Sequence, residues 1–360
     1  MRREGFWAWC TVGAAFIALF LNYGIRYTNI VLFTGVRGDL GLSRGQASLP
    51  FTVCVFVYAL GAPLVGRMVD RWGARWCMAA GGLVGGLGLW LCSYMRGLGS
   101  FVLFFGIIFG IGGNGIGLVP SNTAVAAWFR QRTGTALGIA TLGIGAGTLL
   151  LPIVTNASVD AWGWRGTFRL LALMMWGIMV PAALLVRRPR ALREVKGERR
   201  AGAGRGALRE HLSDGRFWLL FWSFVLVVAM YGVMLHQVPY AEDRGITRWW
   251  ATLSVTVVGL TSLGGRFFFG WLSDRVADRR HALLPAFGLL LLSLAVLLAV
   301  RNAASLLVFA ALYGLGYAGY GPVIPALTAD LFGLEDMGAV FGAVTAGGAL
   351  GGAAGPYSPA

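Results

Sequence analysis

Stretches of about 20 predominantly apolar residues recur along the whole chain, and this recurrence limits its possible folds more than any other feature. A helix rises 1.5 Å per residue, so each stretch can cross the roughly 30 Å hydrocarbon core of a bilayer. Of the 360 residues 57% are hydrophobic and only 12% charged, with a mean hydropathy of +0.70; soluble domains carry about 25% charge. The 55 glycines would suggest disorder in water, but in lipid small residues let helices approach closely. The spans fall at 8–33, 49–69, 77–95, 101–127, 133–155, 166–186, 217–238, 251–271, 282–299, 303–326 and 337–355. The expectation is an all-α integral membrane protein with eleven transmembrane helices. Met1-Arg2-Arg3 before an apolar run has the look of a signal peptide, but the run passes into Asn22 and Tyr23 without a small-residue cleavage site, so it is read as a retained first span. Cys10, Cys54, Cys77 and Cys92 show neither metal-ligand spacing nor a pairing pattern and read as small buried hydrophobes.

The formal net charge is +15, and its location decides what it means. The cations sit in short loops, so they set membrane orientation and give no reason to expect a nucleic acid. Counting Lys and Arg in alternate loops gives 20 on the side that holds the N-terminus and 8 on the other. Half of the 20 lie in the polar stretch Arg187 to Arg216, and without it the bias narrows to 10 against 8. By the positive-inside rule the N-terminus and this stretch are cytoplasmic, in an inner or plasma membrane. The stretch carries Gly202, Gly204 and Gly206 and reads as a flexible linker. The domains are thus a six-helix bundle at 1–186, a linker at 187–216 and a second bundle at 217–360.

An offset of 204 residues aligns most of the chain with itself. Gly41-Leu42-Ser43-Arg44 falls on Gly245-Ile246-Thr247-Arg248; Gly66, Asp70, Arg71 and Arg75 fall on Gly270, Asp274, Arg275 and Arg279. Gly110, Gly112, Gly115 and Gly117 fall on Gly314, Gly316, Gly319 and Gly321, and Gly134, Gly138 and Thr141 fall on Gly338, Gly342 and Thr345. Six helices lie between the copies, an even number, so both halves share one orientation. Parallel halves of this kind describe an alternating-access carrier with a central site at their interface. On this pattern span six should recur near 370–390, beyond Ala360, so the twelfth helix is expected to be missing.

The stretch Gly66-Arg67-Met68-Val69-Asp70-Arg71-Trp72-Gly73-Ala74-Arg75 resembles the signature loop of the major facilitator superfamily, with a second copy at Gly270 to Arg280. An Asp at the end of one helix can accept from the orphan N–H groups of a neighbouring helix N-terminus, and adjacent Arg residues can pair with acidic groups, so the loop can latch one gate state. Gly66, Asp70, Arg71, Gly73, Arg75, Gly270, Asp274 and Arg275 are the gating candidates. Within that superfamily Tyr23-Gly24-Ile25-Arg26-Tyr27, Trp128-Phe129-Arg130-Gln131-Arg132, Gly163-Trp164-Arg165 and the run from Pro325 to Gly333 resemble the monocarboxylate transporter and oxalate/formate antiporter branch.

Once the cations of the loops and span ends are assigned, Arg67 and Arg169 among them, two remain within spans, Arg26 and Arg266, while every Asp and Glu lies in a loop or at a span end. An Arg at bilayer depth costs about 2.5–3.5 kcal/mol on insertion scales. A bound anion is the natural counter-charge, since a guanidinium presents a forked pair of N–H donors to a carboxylate. Side chains tilt toward their helix N-terminus, which leans both arginines toward the midplane. The competing reading is snorkelling to headgroups or bonding to helix carbonyls. The resemblance implies the same pair, because that branch commonly places a basic residue in span one and an Arg in span eight as substrate contacts. Two departures bound what it implies. Ser262 stands where many monocarboxylate carriers have Asp, and span eleven lacks the extra base of the oxalate/formate type, so neither proton coupling through that position nor dicarboxylate binding carries over.

His236 near the outer end of span seven follows Met234, which matches Arg26 when Tyr23-Gly24 is laid on Tyr231-Gly232; it reads as a carrier of a coupled proton or as an interfacial polar residue. Asn22, Tyr23, Tyr27 and Asn114 either line the cavity or pack between helices. The three histidines and the absence of intramembrane acids argue against an enzyme, and no cofactor is expected. The sequence therefore points to a secondary transporter of small organic anions, monocarboxylates first, with a coupled proton or counter-anion left open. An uncharged or cationic solute, and an inactive truncated carrier, are the alternatives.

Overall fold

The computed structural model describes residues 2–189 and 211–354; most of the expected linker, including Gly202, Gly204 and Gly206, and the last residue of the expected eleventh span lie outside them. The described residues form helices and connecting turns, with no strand among them. The helices are α1 (Arg2–Leu40), α2 (Arg44–Trp72), α3 (Ala74–Cys92), α4 (Leu98–Ala126), α5 and α6 (133–162 and 164–185), α7 (Gly215–Ala229, continued by Tyr231–Asp243), α8 (Arg248–Ser273), α9 (Arg280–Leu298), α10 (Ala303–Phe332) and α11 (Met337–Ala346, continued by Gly348–Ala354). Each expected span falls on one of them. The 53 residues Thr133–Leu185 supply two crossings because Gly163, at φ +66°, breaks the helix.

The first block of the repeat is a helix stop followed by a helix start. Gly41 and Gly245 take positive φ, and the amides that follow them, Leu42 and Ile246, donate back to Arg37 O and Ala241 O at 3.1 and 3.0 Å. This closes the helix as a left-handed cap that glycine adopts without a Cβ clash. Ser43 then starts α2 with a reciprocal capping box to Gln46. The third block is where α4 and α10 break: α4 stops at Gly115 and resumes at Leu118, and α10 is interrupted at Gly319, its repeat mate.

Helices α1–α6 pack around a core that includes Leu21, Ile25, Phe101, Phe105, Phe168 and Met175. The outer surface is apolar as well: on α9, Leu291 is 70% exposed beside Leu290 at 5%, the pattern of a helix between a protein interior and lipid. A separate cluster joins the halves, with Leu19, Ala62, Leu118 and Ile144 from the first against Phe224, Ile324, Val340 and Phe341 from the second. The halves meet chiefly along α2–α11 and α5–α8, and these crossings are glycine-lined. A Cβ on Gly66 would overlap the Gly338 carbonyl, and one on Gly134 would overlap Ser273 Oγ and the Gly270 carbonyl. Overpacking costs about 1–3 kcal/mol, so Gly66→Val is expected to hold α2 off α11. In a background without native cysteines, a cysteine at Ala62 should then react about tenfold faster with a water-soluble maleimide; an unchanged rate would mean the crossing tolerates the methyls.

Candidate transport site and gate

Arg266 sits on α8 with 4% of its surface exposed, and its Nε and Nη1 are buried without a hydrogen-bond partner among the described residues. It borders a cleft lined by Leu118 and Ile144 from one half and Phe224, Tyr320, Gly321, Ile324 and Phe341 from the other, too narrow in this conformation for a water molecule. An uncompensated buried ion costs several kcal/mol, so this guanidinium is a donor set in search of an acceptor. Ser262, one turn before it, turns its hydroxyl to Gly259 O at 2.8 Å and leaves the cation alone.

Arg26 is compensated differently. Its Cζ lies 4.7 Å from the Tyr58 ring centroid and 5.7 Å from that of Tyr23, cation–π contacts worth about 0.5–2 kcal/mol each. No carboxylate among the described residues pairs with it. Tyr58 links the two arginines: its ring lies on Arg26, while its hydroxyl accepts from the Leu118 amide at 3.0 Å, and Leu118 walls the Arg266 cleft. Tyr27 meets Tyr231 edge-on across the halves at 6.2 Å.

The remaining candidates lie apart from the cleft. Asn114 donates to the Tyr58 carbonyl at 2.6 Å and ties α4 to α2. Asn22 is fully buried against Gly113 of α4, its amide atoms without a partner among the described residues. His236 is exposed; it is Gln237, one residue on, that turns inward and bonds Ser254. Tyr58, Tyr231, Tyr320 and Gly321 were not among the sequence candidates. The repeat carried a signal for one, since the 204 offset lays Tyr27 on Tyr231.

The signature loops form two related latches on the face bearing the Gly66–Arg75 loop. Asp70 accepts from the Gly338 and Ala339 amides at 3.0 and 2.7 Å in the first turn of α11. Asp274 accepts from the Gly134 and Thr135 amides at 2.8 and 2.7 Å and from the Thr135 hydroxyl at 2.7 Å, in the first turn of α5. Each carboxylate thus joins one half to a helix N-terminus of the other, where orphan amides and the helix dipole favour an anion. Arg279 contacts Asp274 at 3.4 Å and Asp330 at 3.2 Å. Its counterpart Arg75 lies over Trp76 at 5.3 Å, Arg275 over Trp271 at 4.2 Å, and Arg71 is exposed. Gly73, at φ +97°, ends α2 with its amide on Val69 O, and Gly270 packs on Gly134.

Two helical halves joined by paired carboxylate contacts on one face, with Arg266 buried at their interface, define a polytopic helical fold of apolar membrane-spanning length. Residues 15–356 match the Major Facilitator Superfamily, and the chain belongs to that family. It is similar to human "Monocarboxylate transporter 11", 28% identical with 98% of this chain and 76% of the relative covered. An "MFS-type transporter" of Gibberella moniliformis is 28% identical over 93% of this chain and 78% of the relative. Among solved structures the fold matches the human organic anion transporter MFSD10 (TM-score 0.70, 18% identity, covering 97% of this chain and 92% of that one) and the proton:xylose symporter XylE (TM-score 0.69, 17% identity, 98% and 88%).

Proposed function

We propose that the protein carries small monocarboxylate anions across a cell membrane by alternating access, with Arg266 as the principal anion contact. The buried guanidinium of Arg266, its Nε and Nη1 unpartnered among the described residues, carries this reading. A carboxylate supplies the two acceptors and the charge that the cleft lacks, and the apolar walls suit a single short organic tail. A dicarboxylate would strand its second charge among Ile144, Phe224 and Phe341. The first bundle at 1–186 and the second at 217–360, joined by the linker at 187–216, rock about the site, and the two Asp latches hold the conformation closed on the loop face. That face is cytoplasmic in this reading, as the positive-inside count favours.

Uptake of labelled formate, lactate, pyruvate and oxalate into proteoliposomes tests the proposal. Saturable uptake of a monocarboxylate but not of oxalate is expected; saturable uptake confined to an uncharged or cationic solute would defeat it. Arg26→Gln is expected to raise KM for the anion about tenfold with kcat little changed, because Arg26 adds field at the site while its own charge rests on Tyr23 and Tyr58. A larger loss than in an Arg266 variant would reverse the ranking of the two arginines.

A further inference from the structure

We propose that Gly321 is a specificity-determining residue: the space its missing side chain leaves beside Arg266 is where a carboxylate oxygen of the cargo docks. The inference rests on the anion reading above and deepens it. A Cβ on Gly321 would stand 2.8 Å from Arg266 Nη1, one of the two buried guanidinium nitrogens without a partner among the described residues. The next nearest atoms are Arg266 Cζ and Thr141 Oγ1, both at 3.9 Å. Thr141 directs its own hydroxyl to Leu137 O at 2.8 Å, so the free donors at this spot belong to Arg266. Nothing in helix packing demands a glycine here, unlike Gly66 or Gly134, whose added Cβ would strike backbone.

The repeat supplies an internal control. Gly117 is the mate of Gly321, and there the space is filled from within the protein, for a Cβ on Gly117 would overlap the Tyr58 hydroxyl. That hydroxyl accepts from the Leu118 amide. In the second half the mate of Leu118 is Pro322 and the mate of Tyr58 is Ser262. Proline has no N–H, and Ser262 bonds its own helix, so the backbone donor and the aromatic plug are both gone, while Arg266 brings a cation in their place. One glycine pocket is completed by its own tyrosine; the other presents the Nη1 donor of Arg266, unpartnered among the described residues, and suits an acceptor such as a carboxylate. An added methyl at 321 competes with the carboxylate for Nη1.

The test is a double-mutant cycle of Gly321→Ala and Arg266→Lys, read as KM and kcat for whichever of formate, lactate, pyruvate and butyrate the unaltered protein takes up into proteoliposomes. Gly321→Ala is expected to raise KM at least about tenfold with Arg266 in place. In the Arg266→Lys background, whose slimmer ammonium has no Nη1 to displace, the same change is expected to raise KM less than about twofold. Equal increases in both backgrounds, or a fall in kcat with KM unchanged, would overturn the assignment and make Gly321 a packing residue. Should Gly321→Ala fail to fold alone, rescue of folding by Arg266→Lys reports the same clash, and failure in both backgrounds overturns it. Absence of anion uptake by the unaltered protein removes the anion reading itself, whereas anion uptake that is lost on Arg266→Gln but indifferent to Gly321→Ala removes only this proposal.

Discussion

Arg266→Met is expected to abolish anion uptake and at the same time raise the unfolding temperature, two effects of opposite sign from one buried charge. A hydrogen bond to an ionised group is worth up to about 3 kcal/mol, so kcat/KM for the anion should fall at least about 100-fold. The guanidinium is 4% exposed, with Nε and Nη1 unpartnered among the described residues. Replacing even a buried ion pair by apolar side chains of similar volume is often neutral or stabilising by about 1–4 kcal/mol, and a charge with less compensation has less to lose. Methionine has the length and flexibility to fill the cleft between Ile144, Phe224 and Phe341. Uptake into proteoliposomes and thermal unfolding in detergent read the two effects separately. A lowered unfolding temperature would show that Arg266 holds the fold together, and undiminished uptake would show that the cargo is not bound there.

Asp274→Ala is expected to unlatch the loop face. It removes an acceptor of three hydrogen bonds across the two halves and one of the two carboxylates that hold Arg279. Removing one member of a buried, hydrogen-bonded ion pair costs about 3–5 kcal/mol. Acting on the closed conformation alone, about 3 kcal/mol shifts the equilibrium toward the open one by about 100-fold. In a background without native cysteines, a cysteine at Thr141, buried near Arg266, should then react with a hydrophilic maleimide from the loop face. Asp70→Ala removes two amide contacts to α11 and is expected to shift the equilibrium in the same direction; an unchanged labelling rate would mean that this carboxylate does not hold the face closed.

Much of this architecture is carried by local sequence. Apolar run length placed the crossings, because a backbone in hydrocarbon must bond to itself and a helix does so within each run. The 204-residue offset carried the two halves, and the spacing of Asp70 and Asp274 from their glycines carried the latches, since capping needs only a carboxylate at one helix end and bare amides at another. The helix breaks at Gly115 and Gly319 could be matched to each other but not foreseen as breaks, because glycine inside an apolar run signals close packing as readily as interruption.

Depth along a span follows from counting residues, but the direction a side chain faces does not, and local pattern stops being informative at that point. Arg26 and Arg266 were equivalent as buried cations in an acid-free membrane interior; only the neighbours distinguish them, Tyr23 and Tyr58 around the first, an apolar cleft around the second. His236 and Gln237 differ by one residue, about 100° around a helix, and that rotation exposes the histidine and buries the glutamine. Gly321 reads in sequence as one more small residue, and becomes a site only when α8 carries the Arg266 side chain against it. Each helix's own turns set what it can offer, and those are written in consecutive residues; which offers meet depends on how the helices pack, and that is set by contacts between residues far apart in the chain.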